Sequence, residues 1–213
     1  MGVAVITPAS SHDLTTYGLV ALELGLSDGD TSLQARIDPL IAEVSDEIAR
    51  HCGRTFARQT YTETLEGYGD ATLYLTHRPI VSLTSVSLDG TAVDADTYSI
   101  ISANGGQVAA LSDGYPGGRW GYTAGYPRYT VVYTAGYILP GNAGENLPPA
   151  LRRVATEVVV DRHINAGRDT SVTSRSMGDL SVTYSSGAGA AVMIGFPSSV
   201  VARLRPFMSR RFA

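Results

Sequence analysis

IAEVSDEIARHCGRTFARQTYTETL, residues 41–65, is where this chain changes its period. Ile41, Val44 and Ile48 continue a stripe begun by Leu33 and Ile37, with Glu43, Asp46, Glu47 and Arg50 largely opposite. That spacing predicts an amphipathic helix. Gly53 stands where such a helix ends in a left-handed residue. Past it the apolar and β-prone residues recur every second position, and Thr60 to Leu65 reads as a strand. A helix followed at once by sheet, with a further helix after the sheet, makes the chain α+β.

Upstream, Leu14, Tyr17, Ala21 and Leu24 recur at helical spacing behind Asp13 as N-cap, and Gly25 ends that segment. Pro39 lies inside the 33–52 helix, where the missing N–H and the ring clash predict a kinked first turn or a restart at Asp38. Met1 to Ser10 lacks the charged and apolar regions of a secretory signal, and no stretch reaches the ~18 apolar residues of a membrane helix. The expectation is a soluble chain made in a cytoplasm, with no membrane partner.

Downstream, strands are predicted at 72–76, 81–88, 97–101, 107–111 and 129–134, mainly antiparallel. Asp89-Gly90 is a hairpin signal, and the stretches 102–106 and 113–118 are turn-rich. Tyr-Thr-Ala-Gly-Tyr occurs at 122–126 and again at 133–137, which reads as two similar strand ends. Pro148-Pro149 opens a helix carrying Leu151, Val154, Ala155 and Val158 on one face, with Gly167 beyond its end near Ala166. Residues 168–176 read as polar and mobile, 179–185 as a strand, and 199–208 as a short helix cut by Pro206. The organisation expected is N-terminal helices over 1–54, a β insertion over 55–140, a core helix and short strand over 141–185, and an extended, flexible basic tail over 186–213. Together these form one structural domain with a small helical core.

Composition allows an ordinary core: 213 residues, 44% hydrophobic. The lone Cys52 forms no internal disulfide and reads as a structural thiol. His12, His51, His77 and His163 are scattered, without the spacing of a metal pair. Gly25-Leu26-Ser27-Asp28-Gly29 matches the G-x-S-x-G of a nucleophile elbow, but that elbow needs a preceding strand, and here a helix precedes. A Walker-type phosphate loop is excluded because the chain has no lysine. The carboxylate pairs Asp46/Glu47 and Asp94/Asp96 read as solvated charge. No catalytic, cofactor or metal residue is assigned. The 12 tyrosines and Trp120 could stack on bases or sugars, but suit strand packing better.

Charge is split along the chain. Residues 1–146 carry 7 Arg against 16 acids, a balance of −9, and residues 147–213 carry 9 Arg against 4 acids, a balance of +5. Arg203, Arg205, Arg210 and Arg211 interleave with Leu204, Phe207 and Phe212, as in a docking segment for an acidic groove or a phosphate surface.

The ordered motifs Ile48-Ala-Arg-His-Cys-Gly-Arg-Thr-Phe56, Tyr61-Thr-Glu-Thr64, Arg78-Pro-Ile-Val-Ser-Leu-Thr-Ser-Val86, Val132-Tyr-Thr-Ala-Gly-Tyr137, Leu147-Pro-Pro-Ala-Leu-Arg152 and Gly178-Asp-Leu-Ser-Val-Thr-Tyr184 carry a resemblance. In that order they resemble the adaptor, or head-tail connector, proteins of long-tailed double-stranded DNA phages. The resemblance covers most of residues 13–213. It implies a virion neck protein: a dodecameric homo-oligomeric ring beneath the portal protein, joining it to a stopper or tail-completion protein around a channel for genomic DNA. By the same resemblance Arg203, Leu204, Arg205, Phe207, Arg210, Arg211 and Phe212 would anchor on the portal. The long β region and the Gly-rich stretch 187–195 depart from shorter members of that family. The alternatives are a nucleic-acid-binding protein using the arginine tail, or a carbohydrate-binding β module.

Overall fold

The computed structural model describes residues 2–27, 29–121, 128–166, 174–177, 180–183 and 196–209. The fold is α+β, and the chain divides into two compact units, residues 1–12 with 55–146 and residues 13–54 with 147–213.

The first unit is β. Its larger sheet has the order β1-β2-β9-β4-β5, built from β1 (Gly2–Thr7), β2 (Gln59–Glu66), β9 (Arg128–Ala135), β4 (Ile80–Leu88) and β5 (Thr91–Ala92). All its pairings are antiparallel. A second sheet has the order β3-β7-β6, from β3 (Thr72–Tyr74), β7 (Gln107–Ser112) and β6 (Tyr98–Ser102), and the two-residue β8 (Tyr115–Pro116) pairs with β7. β2, and β9 beyond its exposed first residue Arg128, alternate between buried and half-buried residues, the period-two signature of strands with one face on a core. Tyr61, Tyr129, Val131 and Tyr133 from the larger sheet and Leu73 and Val108 from the smaller one share that core. The Asp89-Gly90 hairpin forms where the sequence places it, with positive φ at both residues (48° and 87°). The strand β1 does not emerge from the sequence reading, which assigned the first 54 residues to helices. Its Gly-Val-Ala-Val-Ile-Thr run is too short and too uniformly apolar to show a period, and long-range pairing with β2 makes it a strand.

The second unit is helical. Helix α1 (Tyr17–Glu23) begins later than Asp13, with Thr16 as N-cap accepting from the Leu19 N–H. The residues before it are spent on packing: the Leu14 N–H donates to Ser45 Oγ (2.9 Å), and the Thr15 and Thr156 hydroxyls lie 2.7 Å apart. Since Thr156 donates to the Arg152 carbonyl, Thr15 is the donor in that pair. Helix α2 (Gln34–Cys52) runs through Pro39 without a restart. Proline there falls near the N-terminus, where few backbone bonds have formed and one lost bond costs least. Gly53 closes α2 at φ 64°. Ile37, Ile41, Val44, Ile48 and Cys52 of α2 are buried, as are Leu151, Val154, Val158 and Val159 of α3 (Pro149–Asn165). Burying each such side chain contributes about 1.5–3 kcal/mol. Arg162 of α3 ties the two helices by donating to both Glu43 and Glu47.

Residues 174–176, the end of the stretch read from sequence as mobile, belong to strand β10 (Ser174–Met177), paired antiparallel with β11 (Leu180–Thr183) in a two-stranded ribbon. Within the C-terminal tail, residues 198–204 form helix α4 (Ser198–Leu204), followed by a 3-10 turn (Arg205–Phe207) begun around Pro206.

Candidate assembly surface

The tail segment is built on three tethers within the helical unit. Phe196 is buried, its ring edge-on to His51 (centroids 5.9 Å, 79°) and 6.0 Å from the Arg162 guanidinium. Leu204, the last residue of α4, is fully buried. The Ser209 N–H donates to the Cys52 carbonyl (2.7 Å), one of the carbonyls a helix end leaves without an internal partner. Arg203 adds an ion pair to Glu157, which also accepts from Arg153 one turn earlier. Arg203 first, then Arg153, hold the Glu157 carboxyl below its usual range against the opposing effect of partial burial.

These tethers sort the residues that the sequence nominated for docking. Leu204 faces inward and is a core residue of the helical unit. Arg203 is exposed but engaged with Glu157, Arg205 is exposed, and Phe207 is half-buried. Met208, which the sequence reading passed over, is 40% exposed beside them. Arg210, Arg211 and Phe212 lie outside the described residues. Phe196 was also missed. The only signal for it was a lone aromatic followed by proline after a glycine-rich run, too little to separate an anchor from a tail residue.

The other candidate chemistry resolves into structure. Ser27 sits past α1 in a loop that, with Tyr17, Leu22, Asp30 and Thr31, lines a cavity of about 630 Å³ holding no histidine among its lining residues. Asp28 of the same motif is outside the described residues. His77 stacks on Tyr61 (3.8 Å, 4°). Among the described residues, no group of three or more His, Cys, Asp or Glu is placed to hold a metal ion, and no helix is long and apolar enough to cross a membrane. Trp120 is 3% exposed, donates from its indole N–H to the Val108 carbonyl, and meets Tyr129 edge-on (5.0 Å, 79°). An indole so enclosed offers no face to a sugar or a base.

The β unit does bury one carboxyl. Glu63 is 1% exposed and accepts from the Tyr133 hydroxyl (2.6 Å), the Thr76 hydroxyl (2.5 Å) and the Thr76 N–H (3.0 Å). The Tyr133 oxygen in turn accepts from the His77 N–H (3.2 Å). Burial, and after it the neighbouring Glu63 carboxylate, pushes the Tyr133 phenol well above its usual range. With its acceptor positions filled from within the unit, the cluster joins β2, β9 and the 76–77 loop.

No protein-family model matches the chain, and no curated protein does. Solved structures do share its fold. A chain in the neck of an empty gene transfer agent (GTA) particle, computed with C6 symmetry, is 15% identical at TM-score 0.60, with 100% of this chain and 98% of that one covered. A chain in the virion of the native GTA particle matches with the same identity, coverage and score. A chain in the native GTA neck computed with C12 symmetry is likewise 15% identical with the same coverage, at TM-score 0.52.

Proposed function

We propose that this protein is a structural component of the neck of a phage-like particle, an adaptor whose copies form a dodecameric ring beneath the portal protein. The ring joins the portal to a stopper or tail-completion protein and leaves a channel through which genomic DNA passes without specific binding. The observation that carries this reading is the match of fold over essentially the whole of both chains to chains of a GTA neck and virion. The motif order read from the sequence supports it, and neighbours from necks computed with C6 and C12 symmetry support a ring. A net charge of −4 suits a wall past which DNA must slide, because phosphate contacts from basic residues would retain it. The protein would be made in a host cytoplasm and finish in the virion, in a role that needs no catalysis and no cofactor.

The docking segment of this proposal is Arg203, Arg205 and Phe207 with the terminal Arg210, Arg211 and Phe212. Leu204 contributes from inside, by holding α4 in place. The test is capture of the portal protein of the same particle by the full chain and by a chain ending at Ser209. Cutting earlier, at Val200, would remove the buried Leu204 and confuse unfolding with lost docking. Capture by the full chain and loss by the shortened one places the anchor in the last residues. Equal capture moves the anchor elsewhere on the adaptor, and failure of both chains defeats the adaptor reading. Tight DNA binding that weakens steeply between two salt concentrations would favour the nucleic-acid alternative instead.

A further inference from the structure

β1 ends the larger sheet with one edge on β2 and, among the described residues, no strand on the other. In the register of that pair Val3 stands opposite Glu63 and Val5 opposite Tyr61. Cross-strand partners project to the same face, and Glu63 and Tyr61 are 1% and 2% exposed. Val3 and Val5 therefore lie on the core face of the sheet, yet they are 41% and 50% exposed, and Ile6 beside them 53%. The core face runs out past its own cover. Natural edge strands are usually blunted by charge, proline or brevity. β1 has six residues, none of them charged and none proline.

The helical unit holds the complementary defect. β10 and β11 form a sheet of only two strands, joined to no other strand among the described residues. A two-stranded ribbon is marginal in water, and a third strand is what commonly stabilises it. Its β11 alternates Leu180 and Val182 with Ser181 and Thr183, the sequence pattern of a half-covered strand.

From these two open edges we propose that β1 of one subunit receives the β10–β11 ribbon of a second copy of this chain, by backbone pairing along the edge and apolar cover over Val3 and Val5. Because the two surfaces are different parts of the chain, the contact is head-to-tail and propagates from copy to copy, closing as a ring or continuing as a filament. The inference deepens the ring reading above and rests on it for closure.

The experiment is cysteine cross-linking in a Cys52→Ser background, mixing a chain carrying Val3→Cys or Val5→Cys with one carrying Leu180→Cys or Val182→Cys. Residues opposite each other on paired strands are within disulfide reach. After oxidation the expected result is a disulfide-linked heterodimer from the mixture and a ladder of linked oligomers from a chain carrying both substitutions. Val5→Lys, at a position 50% exposed in the single subunit, should abolish the oligomer while leaving the circular dichroism spectrum unchanged. A doubly substituted chain that closes only on itself overturns the proposal by making the pairing internal. Oligomers seen by native mass spectrometry without any linkage at these positions overturn it and leave the ring reading standing. Chains that stay monomeric even with portal protein present overturn both.

Discussion

Tyr133→Phe removes one oxygen from the interior of the β unit and leaves the ring in place. That oxygen donates to Glu63 Oε2 at 2.6 Å and accepts from the His77 N–H at 3.2 Å. A hydrogen bond to a charged group contributes about 1.5–3 kcal/mol, and an orphaned N–H adds about 1 kcal/mol, so the expected loss is about 2.5–4 kcal/mol at pH 7. The loss should also depend on pH, and its sign follows from the raised phenol. Folded, Tyr133 keeps its proton above pH 10.0, where the unfolded chain begins to release it. The wild type therefore loses stability as pH rises past 10, by about 1.4 kcal/mol per unit from this group. The Phe variant lacks that term, so the gap between the two proteins should shrink by about 1 kcal/mol between pH 10 and 11, where the unfolded phenol is only partly ionised at the start. Urea unfolding followed by the fluorescence of Trp120, the single tryptophan and a core residue of the same unit, measures both quantities. A loss below about 0.5 kcal/mol at pH 7, or a gap that does not change with pH, would refute the account of Glu63 and Tyr133 as a coupled buried pair.

Leu204→Ala should destabilise the helical unit by about 2–5 kcal/mol in thermal unfolding followed at 222 nm, while Met208→Ala changes it by less than about 0.5 kcal/mol, because only the first leaves a cavity. Gly136→Ala should cost at least about 2 kcal/mol, since Gly136 sits at φ 106° and an added Cβ would lie 2.4 Å from the Ala57 carbonyl oxygen. Gly90→Ala, at φ 87° with open space around it, should cost only about 1–2 kcal/mol in the same urea titration. Cys52 is 1% exposed and burial pushes its thiol up to about 11, so a disulfide exchange reagent at pH 8 should leave it untouched in the native protein and titrate one thiol after denaturation.

Much of the architecture is legible in residues taken one segment at a time. The stripe of Ile37, Ile41, Val44 and Ile48 and the alternation of Tyr61, Glu63 and Leu65 each repeat long enough for a period to show, and both became the elements expected. The Asp89-Gly90 turn and Gly53 are local demands on backbone angles, which single residues announce. Elements whose conformation is imposed from far away were not legible. β1 has a weak pattern of its own and exists by pairing with β2, far along the chain. The start of α1 moved because Thr15 and Leu14 are held by Thr156 and Ser45, partners 141 and 31 residues away.

The docking segment shows the same division. Composition alone identifies a basic terminus interleaved with apolar residues, because charge and hydropathy need no partner to be read. Which of those apolar residues is an anchor for another molecule, and which for this one, depends on what packs against it. Leu204 and Phe207 look alike in sequence, and only the tertiary structure buries the first and leaves the second half-covered. Period and turn chemistry are properties of a short stretch, so the sequence by itself determined the α+β class, the long helices and the strands between them. Burial is a property of the whole chain, so the register of β1, the inward turn of Leu204 and the uncovered face at Val3 and Val5 were decided only when the chain closed on itself.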